Sequence, residues 1–340
     1  MNRTLTPLAA SALVLTLAAC GATARTPATS APATSAMSAT TTTDLTALTS
    51  CGVTAEFPVP AGAVVTIKSS ATEAVVALGA ADRLVGVAAL DGPLPEHVTG
   101  VDDAVWDVEL PVISEKVPSF EAVAELGPEA ILAGWESNLS ADGAGSRETW
   151  ESIGVATWVS PSACRDPHLQ PEILTFDDVF DEITTLGLVL GREDAAATLV
   201  AAQRDALTDL AAARDGRTVR ALWYSSGSDT PFVGAGIGAP QLIMQTAGLE
   251  NIAADVRDTW VSMSWEEVAQ RDPEVIVLVD SVWNTAAHKR EVLAANPVTA
   301  AMDAVVAGRY LVVPFPASES GVRTVDAALS LHEQLAAVAP

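Results

Sequence analysis

Positive charge is scarce in this chain. Eighteen lysines and arginines stand against 43 aspartates and glutamates, a formal net charge of −25. Gripping a phosphate backbone needs a basic face, so nucleic acid is excluded as a partner. Histidine is scarcer still. His97, His168, His288 and His332 lie far apart with none of the spacings that hold zinc, so no resident metal and no cofactor is expected. No Gly-x-Ser-x-Gly nucleophile elbow occurs, which removes one common mark of a hydrolase. Gly234-Ala-Gly236-Ile-Gly238 is glycine-rich, but its spacing is not the dinucleotide fingerprint. It reads instead as a loop that lets something approach its backbone closely.

The apolar run Leu5 to Ala18 follows Arg3 and carries no charge. It is too short to span a bilayer comfortably and reads as a signal segment, residues 1–19. It ends in Leu17-Ala18-Ala19-Cys20-Gly21, the spacing of a bacterial lipobox. Cleavage before Cys20 and lipidation of its sulfur are expected. Several acyl chains on one residue would hold the protein on the outer face of the cytoplasmic membrane. Ala22 to about Ala47 is Thr, Ala, Ser and Pro with little charge. It reads as a tether, within residues 20–50, because such a composition cannot build a core. Cys51 and Cys164 remain, and an even pair outside the cytoplasm predicts one disulfide.

The stretch Ser119-Phe-Glu-Ala-Val-Ala-Glu-Leu-Gly-Pro-Glu-Ala-Ile131 occurs twice. Its second copy is Ser264-Trp-Glu-Glu-Val-Ala-Gln-Arg-Asp-Pro-Glu-Val-Ile276, at an offset of 145, with seven of thirteen columns identical. Each copy reads as a helix capped by its serine, stopped before its proline and followed by a buried apolar strand. Glu267 is expected to complete a capping box with Ser264. Glu121 and Glu266 sit in the first helical turn, where the helix dipole favours an anion. A repeat of this kind presents two matched carboxylates from two halves of one molecule.

Around the repeat, strands alternate with helices. Strands are expected at 63–67, 84–87, 155–159, 219–224 and 310–313, and helices at 71–78, 176–190, 240–247 and 325–338. Asp91 to Glu115 is Pro-rich and reads as irregular. Arg192 to Arg214 has no internal Gly or Pro and would make one helix of about 35 Å. The fold class is therefore α/β: two Rossmann-like lobes with parallel central sheets, joined by one long rigid α-helix, with a ligand cleft between them. The lobes would span residues 51–190 and 216–340, with 191–215 connecting.

In open parallel sheets ligands sit beyond the carboxyl ends of the strands. The loops there carry Lys68, Ser69, Ser70, Trp135, Glu136, Asn138, Tyr224, Ser225, Ser226, Trp283, Asn284, Phe315 and Arg323. Trp135 and Trp283 follow the two repeat strands and are expected to face the cleft from opposite lobes, stacking on a flat ligand. Two other readings compete: a cell-surface hydrolase using Glu136 or Asp280, and a scaffold lipoprotein without a ligand.

The lipobox, the opening Val65-Thr-Ile-Lys-Ser-Ser-Ala-Thr-Glu73, the paired Glu-helix-Pro-strand units and the long helix together resemble the helical-backbone solute-binding proteins. These are the iron-siderophore and cobalamin class that serves ABC importers. The resemblance covers roughly residues 52 to 338. It implies a monomer that binds a small molecule and docks on a permease dimer with its ATPase subunits, one glutamate per lobe entering an arginine socket. The motif matches give Glu121 and Glu266. More narrowly, Leu132-Ala-Gly-Trp-Glu-Ser-Asn138, Leu222-Trp-Tyr-Ser-Ser-Gly227, Phe232 to Pro240 and Val313-Pro-Phe-Pro316 look like an actinobacterial branch assigned to uptake of a deazaflavin coenzyme precursor. A flat deazaflavin suits tryptophan stacking, and a phosphate on it would need Lys68 or Arg323. Tri-catecholate ferric siderophores usually meet an arginine cluster, which these loops lack.

Overall fold

The computed structural model describes residues 44–338. The expected signal segment, Cys20 and most of the expected tether lie outside them. The tether stops earlier than its composition suggests, because Asp44–Ser50 is a strand, β1. It pairs antiparallel with β2, Val53–Val59, through the tight turn at Cys51 and Gly52. The buried Arg147 clamps this hairpin to the first lobe. Its guanidinium donates to the carbonyl and hydroxyl of Ser50 and to Thr157.

The first lobe follows in chain order: β3 Val64–Ile67, α1 Ser69–Ala77, β4 Leu84–Ala88, β5 Val112–Ser114, α2 Phe120–Ala124, β6 Ala130–Ala133, α3 Arg147–Ser152 and β7 Ala156–Val159. Its sheet is wholly parallel in the order β5-β4-β3-β6-β7. β3, β6 and β7 are buried at every residue, as strands covered on both faces must be. Asp91 to Glu115 is therefore not irregular throughout, since it supplies the edge strand β5. Val112 is exposed, so no apolar pattern marked that strand in the sequence.

Two helices come next, α4 Phe176–Leu190 and α5 Glu193–Ala213. Gly191 ends α4 in the left-handed conformation, the usual role of glycine there. Thr175 opens it with a capping box to Asp178. α5 is 21 residues, about 31 Å at 1.5 Å per residue.

The second lobe comprises β8 Val219–Ser226, β9 Phe232–Gly234, α6 Ala239–Ala247, β10 Leu249–Asn251, β11 Trp260–Ser262, α7 Trp265–Arg271, β12 Val275–Asp280, α8 Ala286–Ala295, α9 Asp303–Val306, β13 Tyr310–Pro314 and α10 Thr324–Val338. β10, β8, β12 and β13 are parallel. β9 and β11 run antiparallel at the edge, so this sheet is mixed rather than parallel throughout. The antiparallel edge comes from the hairpin after β8, which has no counterpart in the first lobe.

The two repeat copies hold equivalent places. β6 lies between β3 and β7, and β12 between β8 and β13. Ser119 and Ser264 cap their helices, accepting from the N–H of Ala122 at 3.3 Å and of Glu267 at 3.1 Å. The expected capping box at Ser264 does not form, because the Glu267 carboxylate turns along its helix to Arg271 at 2.9 Å. The aromatic after each serine is an anchor: Phe120 packs on Trp150 and Trp265 on Tyr224. Glu121 and Glu266 stay exposed.

α5 is not the sole link between the lobes. Val322 and Val325 belong to the core of the first lobe, whereas Ala327, Ala328, Leu331 and Leu335 belong to that of the second. The start of α10 is thus a second rigid element crossing the boundary. Gln203 on α5 donates to the Val322 carbonyl at 2.8 Å and ties the two crossings together.

Candidate functional site

Each sheet reverses its strand order once. The chain winds outward from β3 to β4 and β5, then returns to β6; the second sheet reverses between β8 and β12. The crevice at such a reversal is where the loops part. In the first lobe it sets Lys68, after β3, beside Gly134 and Trp135, after β6. A Cβ on Gly134 would lie 2.5 Å from the Ser70 hydroxyl and 2.9 Å from Lys68 Cβ, so only glycine fits. Lys68 itself has φ +85°, a strained backbone for a non-glycine residue that its surroundings must hold.

Those surroundings are polar and buried. The Lys68 ammonium pairs with the Asp91 carboxylate and lies 3.8 Å above the Trp135 ring. The Asp91 N–H donates to the Ser69 hydroxyl at 2.8 Å. Arg323 pairs with Glu73 across the lobe boundary at 2.8 Å. Burial pushes the Glu73 carboxyl up to about 7, outweighing the downward pull of the guanidinium. Lys68 and Arg323, expected as cations for a ligand phosphate, are therefore already spent on carboxylates of the protein.

A cavity of about 370 Å³ opens between the lobes. Trp135, Glu136 and the loop Ser162 to Arg165 form its wall on one side; Ser225, Ser226, Phe232, Pro240 and Trp260 face them, and Phe315 and Glu319 close the floor. Of the residues expected in the cleft, Trp135, Glu136, Ser225, Ser226 and Phe315 line it. The others do not. Asn138 is buried and accepts the Trp135 N–H. Tyr224 is buried, donates to the Gly227 carbonyl at 2.7 Å and is raised to about 12 by burial. Asn284 gives its carbonyl to the buried Lys289, whose pKa burial lowers to about 8. Ser70 faces a second, smaller cavity with Glu182 and Ser320.

Trp283 does not oppose Trp135 across a ligand. Both rings meet the same Phe315 edge-on, at 5.1 and 6.4 Å, and Trp283 is 59% exposed at the rim. The facing aromatic wall is instead Phe232 stacked on Trp260 at 5.7 Å. Nothing in the sequence marked that pair, because the hairpin carrying them was not foreseen. The same holds for Glu319. It reaches across to accept the Trp135 indole N–H at 3.0 Å, and burial holds its carboxyl above the usual range.

The two carboxylates considered for a hydrolase, Glu136 or Asp280, are each engaged by backbone. Glu136 accepts the Arg165 N–H at 2.5 Å and Asp280 the Ala286 N–H at 2.6 Å. Cys51 and Cys164 are joined in a disulfide with Cα atoms 5.2 Å apart, and Cys164 lines the cavity. Among the described residues no group of three His, Cys, Asp or Glu gathers to hold a metal, and no helix is long and apolar enough to cross a membrane.

Comparison with known proteins places this geometry. A family model described as "Periplasmic binding protein" matches residues 64–317. A periplasmic binding protein from Veillonella parvula superposes with a TM-score of 0.74 at 24% identity, covering 86% of this chain and 97% of the other. A protein from Saccharomonospora viridis titled "ABC-type Fe3+-hydroxamate transport system" gives 0.71 at 25% identity, covering 85% and 98%. A periplasmic heme binding protein from Vibrio cholerae gives 0.61 at 19% identity, covering 80% and 98%. No curated protein matches.

Proposed function

Because the chain belongs to the periplasmic binding protein family, we propose that it captures a small ligand between its lobes and delivers it to the permease of an ABC importer. A member of this family is a binding protein rather than an enzyme, and it works outside the cytoplasm. The observation that carries the reading is the cavity itself. It is built by both lobes at the carboxyl ends of both sheets and is walled by aromatic rings.

Delivery needs a docking surface, and Glu121 and Glu266 supply it in this reading. They are exposed, matched by the repeat and placed in the first turns of equivalent helices. Bonds from the helix backbone and from Ser119 hold the Glu121 carboxyl below its usual range, so it stays charged. A two-fold permease would meet one such anion per lobe. Lipidation at Cys20 would keep the protein beside that permease, acting as a monomer.

In this reading the ligand is a flat or compact molecule: an iron complex, a heme-like or cobalamin-like macrocycle, or a deazaflavin precursor. The neighbours named for Fe3+-hydroxamate and heme support the iron complex and the heme-like macrocycle; the aromatic walls suit any of them.

Two measurements test this. A ligand at about 100 times its dissociation constant raises stability by about 2.7 kcal/mol, so a thermal-shift screen of ferric hydroxamates, heme, cobalamin and deazaflavins should return a hit. Glu121→Arg with Glu266→Arg should abolish uptake and leave the affinity of that hit unchanged. An affinity that falls in step with uptake would refute the docking role.

A further inference from the structure

The charges around the cavity say what the ligand carries. Three ionisable side chains line it: Glu136, Glu319 and Arg165. Arg165 is exposed at the rim, beside the Glu136 carboxylate that takes its own N–H. Behind the wall, Lys68 is matched by Asp91 and Arg323 by Glu73. The lining is thus one negative charge in excess, Glu136 and Glu319 against Arg165, and neither Lys68 nor Arg323 reaches it. The whole molecule, at −25, adds a field that repels anions on approach.

Glu319 is the group placed to read the ligand. Its Oε2 accepts the Trp135 indole N–H. Its Oε1 takes no bond from any described residue, while the residue lines the cavity together with Trp135 and Phe315. A carboxylate oxygen left free in an aromatic, partly enclosed site gains most from a donor or a cation. The Ser320 hydroxyl beside it is buried and has no partner among the described residues.

Resting on the binding-protein reading, we propose that this cleft selects a flat ligand without net negative charge, whose N–H, O–H or cationic group is taken by Glu319. A phosphorylated or polycarboxylated form of the same ring system would be turned away, because its charge would enter a site with two carboxylates and one solvated guanidinium. Glu319 is in this proposal the specificity-determining residue, and Trp135 positions it.

The test uses three probes that share a planar three-ring system: proflavine, a cation; riboflavin, neutral; and riboflavin 5′-phosphate, an anion. Each is titrated calorimetrically into the mature protein at physiological salt. Proflavine and riboflavin should each bind at least about tenfold more tightly than the phosphate, a difference of about 1.4 kcal/mol. Glu319→Gln keeps an acceptor for Trp135 and removes the charge. It should weaken proflavine by about tenfold or more and leave riboflavin almost unchanged. Equal or tighter binding of the phosphate overturns the proposal, as does a proflavine affinity indifferent to Glu319→Gln, or no binding by the cation and the neutral ring. A phosphate preference would leave the transport role standing; uptake that persists when the protein is removed would remove the transport role and leave this charge rule.

Discussion

At the scale of single residues, the buried carboxyls set how the protein answers pH. Glu182 accepts from Ser160 at 2.9 Å and from the Trp158 indole at 3.4 Å, with no cation beside it. Burial raises its pKa from 4.5 to about 7, and Glu73 shifts in the same direction. Below pH 4.5 both groups are protonated folded or unfolded. Between there and pH 7 the unfolded chain releases protons that the folded one keeps, so stability falls as pH rises. The loss for one such group is on the order of 2–3 kcal/mol. Denaturant melts at pH 5 and pH 8 should show the wild type weaker at pH 8, and Glu182→Gln should remove part of that difference. A variant with an undiminished pH dependence would show that Glu182 titrates near its ordinary value when folded. None of this was legible beforehand. Glu182 reads as one polar position of an amphipathic helix, and only packing against β7 deprives it of water.

Among the elements, the loop from Ser160 to Gln170 depends most on a single bond. The disulfide pins Cys164 to the turn of the β1–β2 hairpin across a separation of 113 residues. In the chain-entropy view, a closed loop of that size stabilises by about 5 kcal/mol. The same loop carries part of the cavity wall. Cys51→Ser with Cys164→Ser should therefore lower the melting temperature and also weaken ligand binding, measured as dissociation constants with and without the bond. An affinity unchanged in the variant would mean that the wall holds without it. The repeat helices, by contrast, were legible in outline. Ser119 and Ser264 cap as their sequence position says; the second helix runs up to its proline, whereas the first ends at Ala124, four residues short of Pro128. What failed was the finer contact. Glu267 chose Arg271 over its own cap, because a guanidinium one turn on is a stronger donor than a backbone N–H.

For the whole molecule, two crossings and a row of cross-lobe bonds resist opening. α5 and the start of α10 both span the boundary. Arg323–Glu73, Trp135–Glu319 and Thr99–Asp326 join the lobes beside them. The hinge expectation was one helix; the second arises because Val322 and Val325 bury in the opposite core. Ligand binding should leave the radius of gyration in solution scattering without a resolvable change, since helices shear rather than bend. Breaking the buried pair with Arg323→Ala should destabilise the protein, and more so as pH rises, because a Glu73 carboxyl without the downward pull of the guanidinium keeps its proton in the folded chain further above the unfolded value. A measured domain closure on ligand addition, or a stable Arg323→Ala protein, would contradict this picture.

What the sequence determined by itself was everything local in origin. Alternating apolar runs made the strands, serines capped the repeat helices, and the duplicated segment announced two like halves with two matched carboxylates. What only the tertiary structure decided was which groups meet. Lys68 and Arg323 looked free in the sequence and are bound to Asp91 and Glu73; Trp283 looked like a wall and is a rim. Phe232, Trp260 and Glu319 build the cavity from segments with no periodic signal. Local pattern reflects contacts with near neighbours and solvent, whereas a charge or a ring finds its partner through chain distances of twenty residues to more than two hundred, which only packing closes.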